Sequence, residues 1–124
     1  MNRILLVDDE PDIIQLFRLI LEGQGFEVDC YSDPVQALVN YAQGLYDLVI
    51  IDYLMPGMDG FELYRKMRTI EKKKSKVLFV TAFDITYKVL RERIQDLDPK
   101  NIITKPITGE YLIERVNQEL TIKT

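Results

Sequence analysis

The sequence predicts an α/β fold in which a five-stranded parallel sheet is covered by helices on both faces, in three layers. Short apolar runs alternate five times with segments whose apolar residues recur at helical spacing, which is typical of parallel sheets with right-handed crossovers. The run Leu48–Ile51 is rich in β-branched residues and favours a strand buried on both faces. The 124 residues contain no linker or internal repeat, so one domain over residues 1–124 is expected.

Two strand–helix units are predicted in the first third of the chain. The apolar run Ile4–Val7 is expected to be the first strand, and Pro11 suits the first turn of a helix over about 12–21. Phe26–Cys30 alternates as a strand with one solvated face does, and Asp33 is expected to cap the second helix. The predicted inward stripe of that helix consists of Val35, Leu38, Val39 and Ala42.

The third unit is built on Leu48–Asp52, an apolar strand that ends in a carboxylate. A turn through Gly57 follows the strand, and Asp59 is expected to cap the third helix by accepting a hydrogen bond from the backbone of Glu62. The apolar positions of this helix are Phe61, Leu63, Tyr64 and Met67.

The fourth and fifth units complete the pattern. Val77–Val80 is expected to be a strand, and Asp84 to cap a helix over about 85–94. Asn101–Thr104 is the last and shortest strand, and Thr108 is the predicted N-cap of the final helix. The inward positions of the final helix are Leu112, Ile113, Val116 and Leu120.

Composition excludes several classes of function. The net charge is −4, so the cationic cluster formed by Lys72–Lys74 and Lys76 is interpreted as a solvated loop, because nucleic-acid binding needs a larger basic footprint. The absence of histidine removes the commonest general base and histidine-based metal sites. No apolar run of membrane-spanning length and no signal peptide is present, and the single Cys30 is expected to serve packing, so we expect a reducing cytoplasm.

Polar residues follow the predicted strands at what would be one edge of the sheet: Asp8, Asp9, Asp52, Thr81 and Lys105. Open α/β sheets bind ligands at the carboxyl ends of their strands. Three carboxylates brought together there need a compensating cation, and oxygen ligands of this kind suit Mg²⁺. Three negative charges would be balanced by Mg²⁺ and Lys105, so the site could accept a phosphoryl group, and a carboxylate can itself attack phosphorus to form an aspartyl phosphate.

The pairs Asp8-Asp9, Thr81-Ala82 and Lys105-Pro106, with Asp52 between them, resemble the receiver domain of a two-component response regulator. The resemblance covers essentially the whole chain. It implies a flavodoxin-like sheet of order 2-1-3-4-5, and a single receiver domain with no output domain present. It also implies a cis peptide bond between Lys105 and Pro106.

The resemblance implies roles for six residues. Asp52 matches the phosphoacceptor, Asp9 a direct Mg²⁺ ligand, Asp8 a ligand through water, Leu54 a backbone-carbonyl ligand, Thr81 the switch hydroxyl and Lys105 the phosphate-pairing lysine. Asp52 would itself also be a metal ligand. In such domains the function is signalling rather than classical enzymology, with Mg²⁺-dependent self-phosphorylation and self-dephosphorylation.

The resemblance also implies partners. A sensor histidine kinase or a phosphotransfer protein would be the phosphodonor, and a chain without histidine is expected to be an acceptor only. Phosphorylation is expected to draw Thr81 inward and to repack the face formed by the fourth helix, fifth strand and fifth helix. The output would come from a downstream protein or an output domain elsewhere, with phosphorylation-dependent dimerisation as a further option. No direct contact with nucleic acid or membrane is expected.

Two features depart from the family pattern. Ile102 occupies a position, three before the lysine, where the family often has an aromatic residue that rotates on activation. A smaller backbone shift at Thr81 is therefore an alternative switch. Leu54 and Phe83 are apolar at positions that flank the phosphorylation site in the family, and we hypothesise that they limit water access and prolong the phosphorylated state.

Three other functions deserve comparison with this one. A phosphatase of the haloacid-dehalogenase type needs a second Asp two residues after its nucleophile, where this chain has Leu54. A flavin-binding carrier needs a phosphate-binding loop after the first strand, where Asp8, Asp9 and Glu10 would repel a phosphate unless a metal intervened. The third is a degenerate receiver that acts as a phosphorylation-independent binding module. The presence of all the acceptor-site residues argues against it.

Overall fold

Five parallel strands form one sheet in the order β2-β1-β3-β4-β5, as predicted. The structure, a computed structural model, describes residues 2–41, 46–70, 75–82, 88–89, 92–93 and 99–121. The strands are β1 Arg3–Val7, β2 Glu27–Tyr31, β3 Leu48–Asp52, β4 Lys76–Thr81 and β5 Ile102–Thr104. All five residues of β3 are buried, which confirms the prediction of a strand covered on both faces.

Four helices of eight or more residues are described, together with a short 3₁₀ turn. They are α1 Pro11–Gly23, α2 Pro34–Tyr41, α3 Gly60–Ile70 and α4 Gly109–Thr121, and the 3₁₀ turn is Pro99–Asn101. Residues 88–89 and 92–93 are also helical. The rest of the helix predicted over about 85–94 lies outside the described residues, as do its predicted cap Asp84 and the flanking Phe83.

The alternation of side chains along the strands divides the core into two layers. One layer joins the sheet to α2 and α3, and its members include Leu5, Val49, Ile51, Phe79, Ala37, Tyr41, Leu63 and Met67. The other layer joins the sheet to α1 and α4, and its members include Ile4, Leu6, Ile50, Leu78, Phe17, Leu21, Leu112 and Val116. The helices therefore cover both faces and leave the strand ends free to form a site.

The predicted inward stripe of α2 was wrong at two positions, whereas Leu38 does pack against the core layer, partly buried. Val35 and Val39 are 54% and 64% exposed, whereas Ala37 and Tyr41 are buried. The inward stripe begins at Pro34 and continues through Ala37 to Tyr41, a spacing that is also helical. Tyr41 can be buried because its hydroxyl donates to Ser75 Oγ at 3.0 Å. Another predicted member, Ala42, lies outside the described residues.

Three predicted helix caps are confirmed. The Asp33 carboxylate accepts from the backbone N–H of Val35 at 2.9 Å. The Asp59 carboxylate accepts from the N–H of Glu62 at 2.9 Å. The Thr108 hydroxyl accepts from the backbone N–H of Tyr111, in the first turn of α4, at 3.1 Å. Each side chain satisfies an N–H group that has no partner within its own helix, so the first turns of α2, α3 and α4 are fixed in place.

Candidate functional site

Parallel pairing brings the ends of β1 and β3 to the same level. Val7 pairs with Ile51, so the residues that follow, Asp8 and Asp52, leave neighbouring strands side by side. The Asp8 backbone N–H donates to the carbonyl of Tyr31 at 3.3 Å, which extends the pairing with β2 by one residue. The two predicted acidic positions therefore meet at the carboxyl edge of the sheet.

Pairing between β4 and β5 brings the two other predicted residues to the same edge. Thr81 pairs with Thr104, and Lys105 is the next residue of the chain. The Lys105 backbone N–H donates to the Thr81 carbonyl at 2.7 Å, and the peptide bond between Lys105 and Pro106 is cis, as predicted. The lysine side chain thus starts from a fixed backbone position beside β4.

Lys105 reaches back to the carboxylates. Its Nζ lies 3.3 Å from Asp8 Oδ2, 3.6 Å from Glu10 Oε1 and 3.9 Å from Asp52 Oδ1. Asp8 and Asp52 are only 2% and 5% exposed. A second hydrogen bond orients Asp8, whose Oδ1 accepts from the Glu10 N–H at 2.9 Å. Two buried carboxylates therefore share one ammonium group.

One lysine does not neutralise this site. The pKa of Asp52 is raised to about 7. Burial is the largest cause, the charge of Asp8 and a hydrogen bond with Asp9 add to the rise, and Lys105 opposes it. Burial likewise raises the pKa of Asp8, against the hydrogen bond from the Glu10 N–H and the attraction of Lys105. Burial alone would lower the pKa of Lys105, but attraction to Asp52 and Asp8 outweighs it and raises that pKa. The site therefore favours an additional cation.

The donor set fits a hard divalent cation. Asp8, Asp9 and Glu10 each offer a carboxylate oxygen, and these atoms lie within 4.8 Å of one another. Such oxygen ligands with room for water suit Mg²⁺. Glu10 was not among the predicted site residues, although its place directly after Asp8-Asp9 was a signal that could have found it. Its contact with Lys105 makes it part of the site's charge balance.

The chain that leaves β3 is tightly held. The Tyr53 N–H donates to the Val80 carbonyl at 2.9 Å, and the Tyr53 carbonyl accepts from the Gly60 N–H at 2.8 Å. A Cβ at Gly60 would lie 2.6 Å from the Asp52 carbonyl oxygen, so only glycine lets α3 start this close to β3. Leu54, the predicted carbonyl ligand, follows directly on this loop, and its side chain is 54% exposed.

Among the described residues of the site, Thr81 stands out for its buried side-chain hydroxyl. It is completely buried, and its hydroxyl has no partner among the residues that the structure describes. A buried hydroxyl without a partner costs about 1–3 kcal/mol. Such a group is most easily explained if a ligand or a second conformation supplies the missing partner.

The family follows from the match of the sequence itself. Residues 4–117 match the response regulator receiver domain family. The chain belongs to this family. The receiver domain resembles "Uncharacterized transcriptional regulatory protein YkoG" of Bacillus subtilis, with 31% identity over 96% of this chain and 51% of that protein. It also resembles "Regulatory protein VanRB" of Enterococcus faecalis, with 33% identity over 92% of this chain and 50% of that protein.

Solved receiver domains share the fold. A response regulator receiver domain from Clostridium thermocellum superposes with a TM-score of 0.81 at 26% identity, over 97% of this chain and 94% of the other. The response regulator TrrA from Thermotoga maritima, solved in complex with Mg²⁺-BeF, superposes with a TM-score of 0.75 at 34% identity, over 95% of this chain and 98% of the other. The flavodoxin-like arrangement implied by the sequence is thereby confirmed.

The function of the receiver domain is signalling in two-component systems, and receiver domains interact with histidine kinases or phosphotransfer proteins and with output domains. The chain spans about half the length of the curated relatives it matches. Within the described part of the chain, no helix has the length and apolarity needed to cross a membrane.

Proposed function

We propose that this receiver domain accepts a phosphoryl group on Asp52 in a Mg²⁺-dependent reaction and thereby switches a partner or an output domain. The observation that carries the proposal is the meeting of Asp8, Asp52 and Lys105, with Lys105 Nζ within 4 Å of both buried carboxylates. Structural ion pairs do not need two carboxylates against one ammonium, whereas transfer of a phosphoryl group needs a nucleophile and cations around it.

Each residue has a role in that transfer. An Asp52 carboxylate oxygen attacks phosphorus and forms the new P–O bond, while the bond from phosphorus to the donor breaks and the donor leaves with its electron pair. The Lys105 ammonium pairs with a phosphoryl oxygen, and the Thr81 hydroxyl donates to another. Hydrolysis of the acyl phosphate later returns Asp52 to the carboxylate and releases phosphate.

We propose Asp9 and Asp52 as direct ligands of Mg²⁺, Asp8 as a ligand through water, and the Leu54 carbonyl as a backbone ligand. The oxygen atoms of Asp8, Asp9 and Glu10 within 4.8 Å of one another support this assignment. The bound cation would neutralise charge on the transferring group. The related protein TrrA, solved in complex with Mg²⁺-BeF, supports the choice of metal.

The phosphodonor is proposed to be a histidine kinase or a phosphotransfer protein. A depression of about 350 Å³ beside Lys105 supports an approach over α1, and it is lined by Ile13, Leu16, Phe17, Lys105, Pro106 and Ile107. The output is proposed to lie in a downstream partner or in a further domain, since the relatives named above are regulatory proteins about twice the length of this chain. The domain itself is proposed to act in the cytoplasm without touching nucleic acid.

The test is the intact mass of the protein after incubation with Mg²⁺ and acetyl phosphate. A single phosphoryl adduct is expected that requires Mg²⁺, disappears in Asp52→Asn and persists in Asp12→Asn, a matched change at an exposed carboxylate. An adduct in Asp52→Asn would refute the assignment of the acceptor. A folded protein that gives no adduct with acetyl phosphate or a histidine kinase, and that binds no Mg²⁺, would instead establish a phosphorylation-independent binding module.

A further inference from the structure

Arg93 holds both ends of the loop that follows β3, residues 53–59. Its Nη1 donates to the Tyr53 hydroxyl at 2.7 Å and to Asp59 Oδ2 at 3.0 Å. The guanidinium carbon also lies 4.1 Å from the centre of the Phe61 ring, a cation–π distance. One side chain from a distant helical segment thus contacts the first residue, the last residue and the helix beyond the loop.

The partners of Arg93 are themselves fixed. Tyr53 is 5% exposed, and its backbone is bonded to β4 and to the start of α3. Asp59 uses its other carboxylate oxygen to accept from the Glu62 N–H. Between these ends the loop turns through Gly57, whose φ of +82° lies in the left-handed region. Arg93 therefore closes the loop through side chains at the two points where its backbone is anchored.

We propose that Arg93 is a positioning residue for the metal site. By joining Tyr53 to Asp59, it holds the loop in the shape in which the Leu54 carbonyl can serve the cation. This inference rests on the proposed function, because Leu54 is the ligand that the loop supplies there. A guanidinium suits the task, because Nη1 donates both hydrogen bonds while the rest of the planar group contacts the Phe61 ring.

The electrostatic effect of Arg93 has the opposite sign from its positioning effect. A cationic side chain near a metal site repels the metal, so removal of the charge alone would tighten Mg²⁺ binding. Loss of a contact that orients a metal ligand weakens metal binding, typically by a factor of ten or more. The direction of the change in the dissociation constant therefore distinguishes the two roles.

The experiment measures Mg²⁺ binding by calorimetry in the metal-free protein, with the intact-mass assay beside it. For Arg93→Gln we expect roughly tenfold weaker Mg²⁺ binding, with full phosphorylation of Asp52 at saturating Mg²⁺. Tyr53→Phe removes one hydroxyl and keeps the ring, and it should weaken binding in the same direction. The double variant should show less than the sum of the two effects, because both changes break one contact. Arg93→Lys should not restore binding.

Arg65→Gln is the matched control. The Arg65 guanidinium carbon lies 5.8 Å from the same Phe61 ring, so the change removes an equal charge and a similar ring contact. Unchanged or tighter binding in this control, with weaker binding in Arg93→Gln and Tyr53→Phe, supports positioning. Unchanged or tighter binding in a folded Arg93→Gln overturns it. Failure of the unaltered protein to bind Mg²⁺ would refute the proposed function itself.

Discussion

Neutralising the buried Asp52 should stabilise the metal-free protein. The folded state keeps the Asp52 proton between pH 3.8 and about 7, where the unfolded chain has lost it. The folded state therefore binds more protons in that window, and the contribution of this group to stability falls as the pH rises through it. Asp52→Asn removes the ionisable group and should flatten this part of the pH profile.

The size of the effect follows from the pKa. A rise from 3.8 to about 7 corresponds to about 4 kcal/mol of lost folding free energy at pH 8. The asparagine amide is also buried and must find new partners, at a cost of about 1–2 kcal/mol. We therefore expect Asp52→Asn to raise the free energy of unfolding by about 2 kcal/mol near pH 8. Near pH 5 the gain should vanish, because the cost of the raised Asp52 pKa falls there to about 1.6 kcal/mol. The cost of burying the asparagine amide offsets that amount.

The assay is urea unfolding followed by far-ultraviolet circular dichroism, in a chelator, at both pH values. Asp12→Asn is the control, because it makes the same charge change at an exposed position. It should give no gain, since Asp12 lies in the first turn of α1, where a carboxylate is favourable. Equal gains at both pH values, or no gain near pH 8, would refute the electrostatic reasoning. Mg²⁺ should stabilise the unaltered protein more than Asp52→Asn.

Three further predictions concern residues around Asp52. Leu54→Asn should speed loss of the phosphoryl group, measured by intact mass over time, whereas Val35→Asn, an equally exposed apolar position at 54%, should leave the lifetime unchanged. Gly60→Ala should lower the free energy of unfolding by about 2–3 kcal/mol, because its Cβ would lie 2.6 Å from the Asp52 carbonyl oxygen; a stability equal to that of the unaltered protein would contradict the close approach. Thr81→Val should raise the stability of the unphosphorylated domain by about 1 kcal/mol, because it removes a buried hydroxyl without a described partner. A loss of stability in urea unfolding would show that the hydroxyl is satisfied.

The strand ends could be predicted because each of their signals is local. An apolar run that ends in Asp52, or in Lys105 after Thr104, is visible in the linear sequence. Parallel topology then places all carboxyl ends at one edge, so no long-range information is needed to bring Asp8 near Asp52. The helix caps at Asp33 and Asp59 were predictable for the same reason, since a cap involves only neighbouring residues.

The inward face of α2 could not be read from spacing alone, because two sets of positions satisfy the helical period. Hydrophobicity favoured Val35 and Val39, but the buried set contains Tyr41, whose hydroxyl needs Ser75 from a segment 34 residues away. The burial of Arg115 and Glu119, at 6% exposure each, could not be predicted from the sequence for the same reason. Their charges are tolerable because Asn101 donates to Glu119 and Arg115 donates to a backbone carbonyl, which are tertiary contacts.

The contacts of Arg93 illustrate the same point at the site itself. Its partners Tyr53 and Asp59 are 40 and 34 residues away in sequence, and the arginine stands in a segment that the sequence suggested only as a helix. Local pattern identifies which groups carry the chemistry. It does not reveal tertiary contacts such as those of Arg93.

The surroundings of Thr81 suggest how the proposed switch would work. Ile102, at the position where an aromatic ring could rotate, is 8% exposed and packs in the core layer shared with Phe79. An apolar side chain in that layer has no polar group to move toward solvent, so we propose that the backbone at Thr81 carries the signal. The Lys105 N–H is bonded to the Thr81 carbonyl at 2.7 Å, and therefore a shift of Thr81 toward a phosphoryl group moves the end of β5 with it. Because such coupling is reciprocal, whatever partner favours the shifted β5 end must also favour the phosphorylated state by the same free energy.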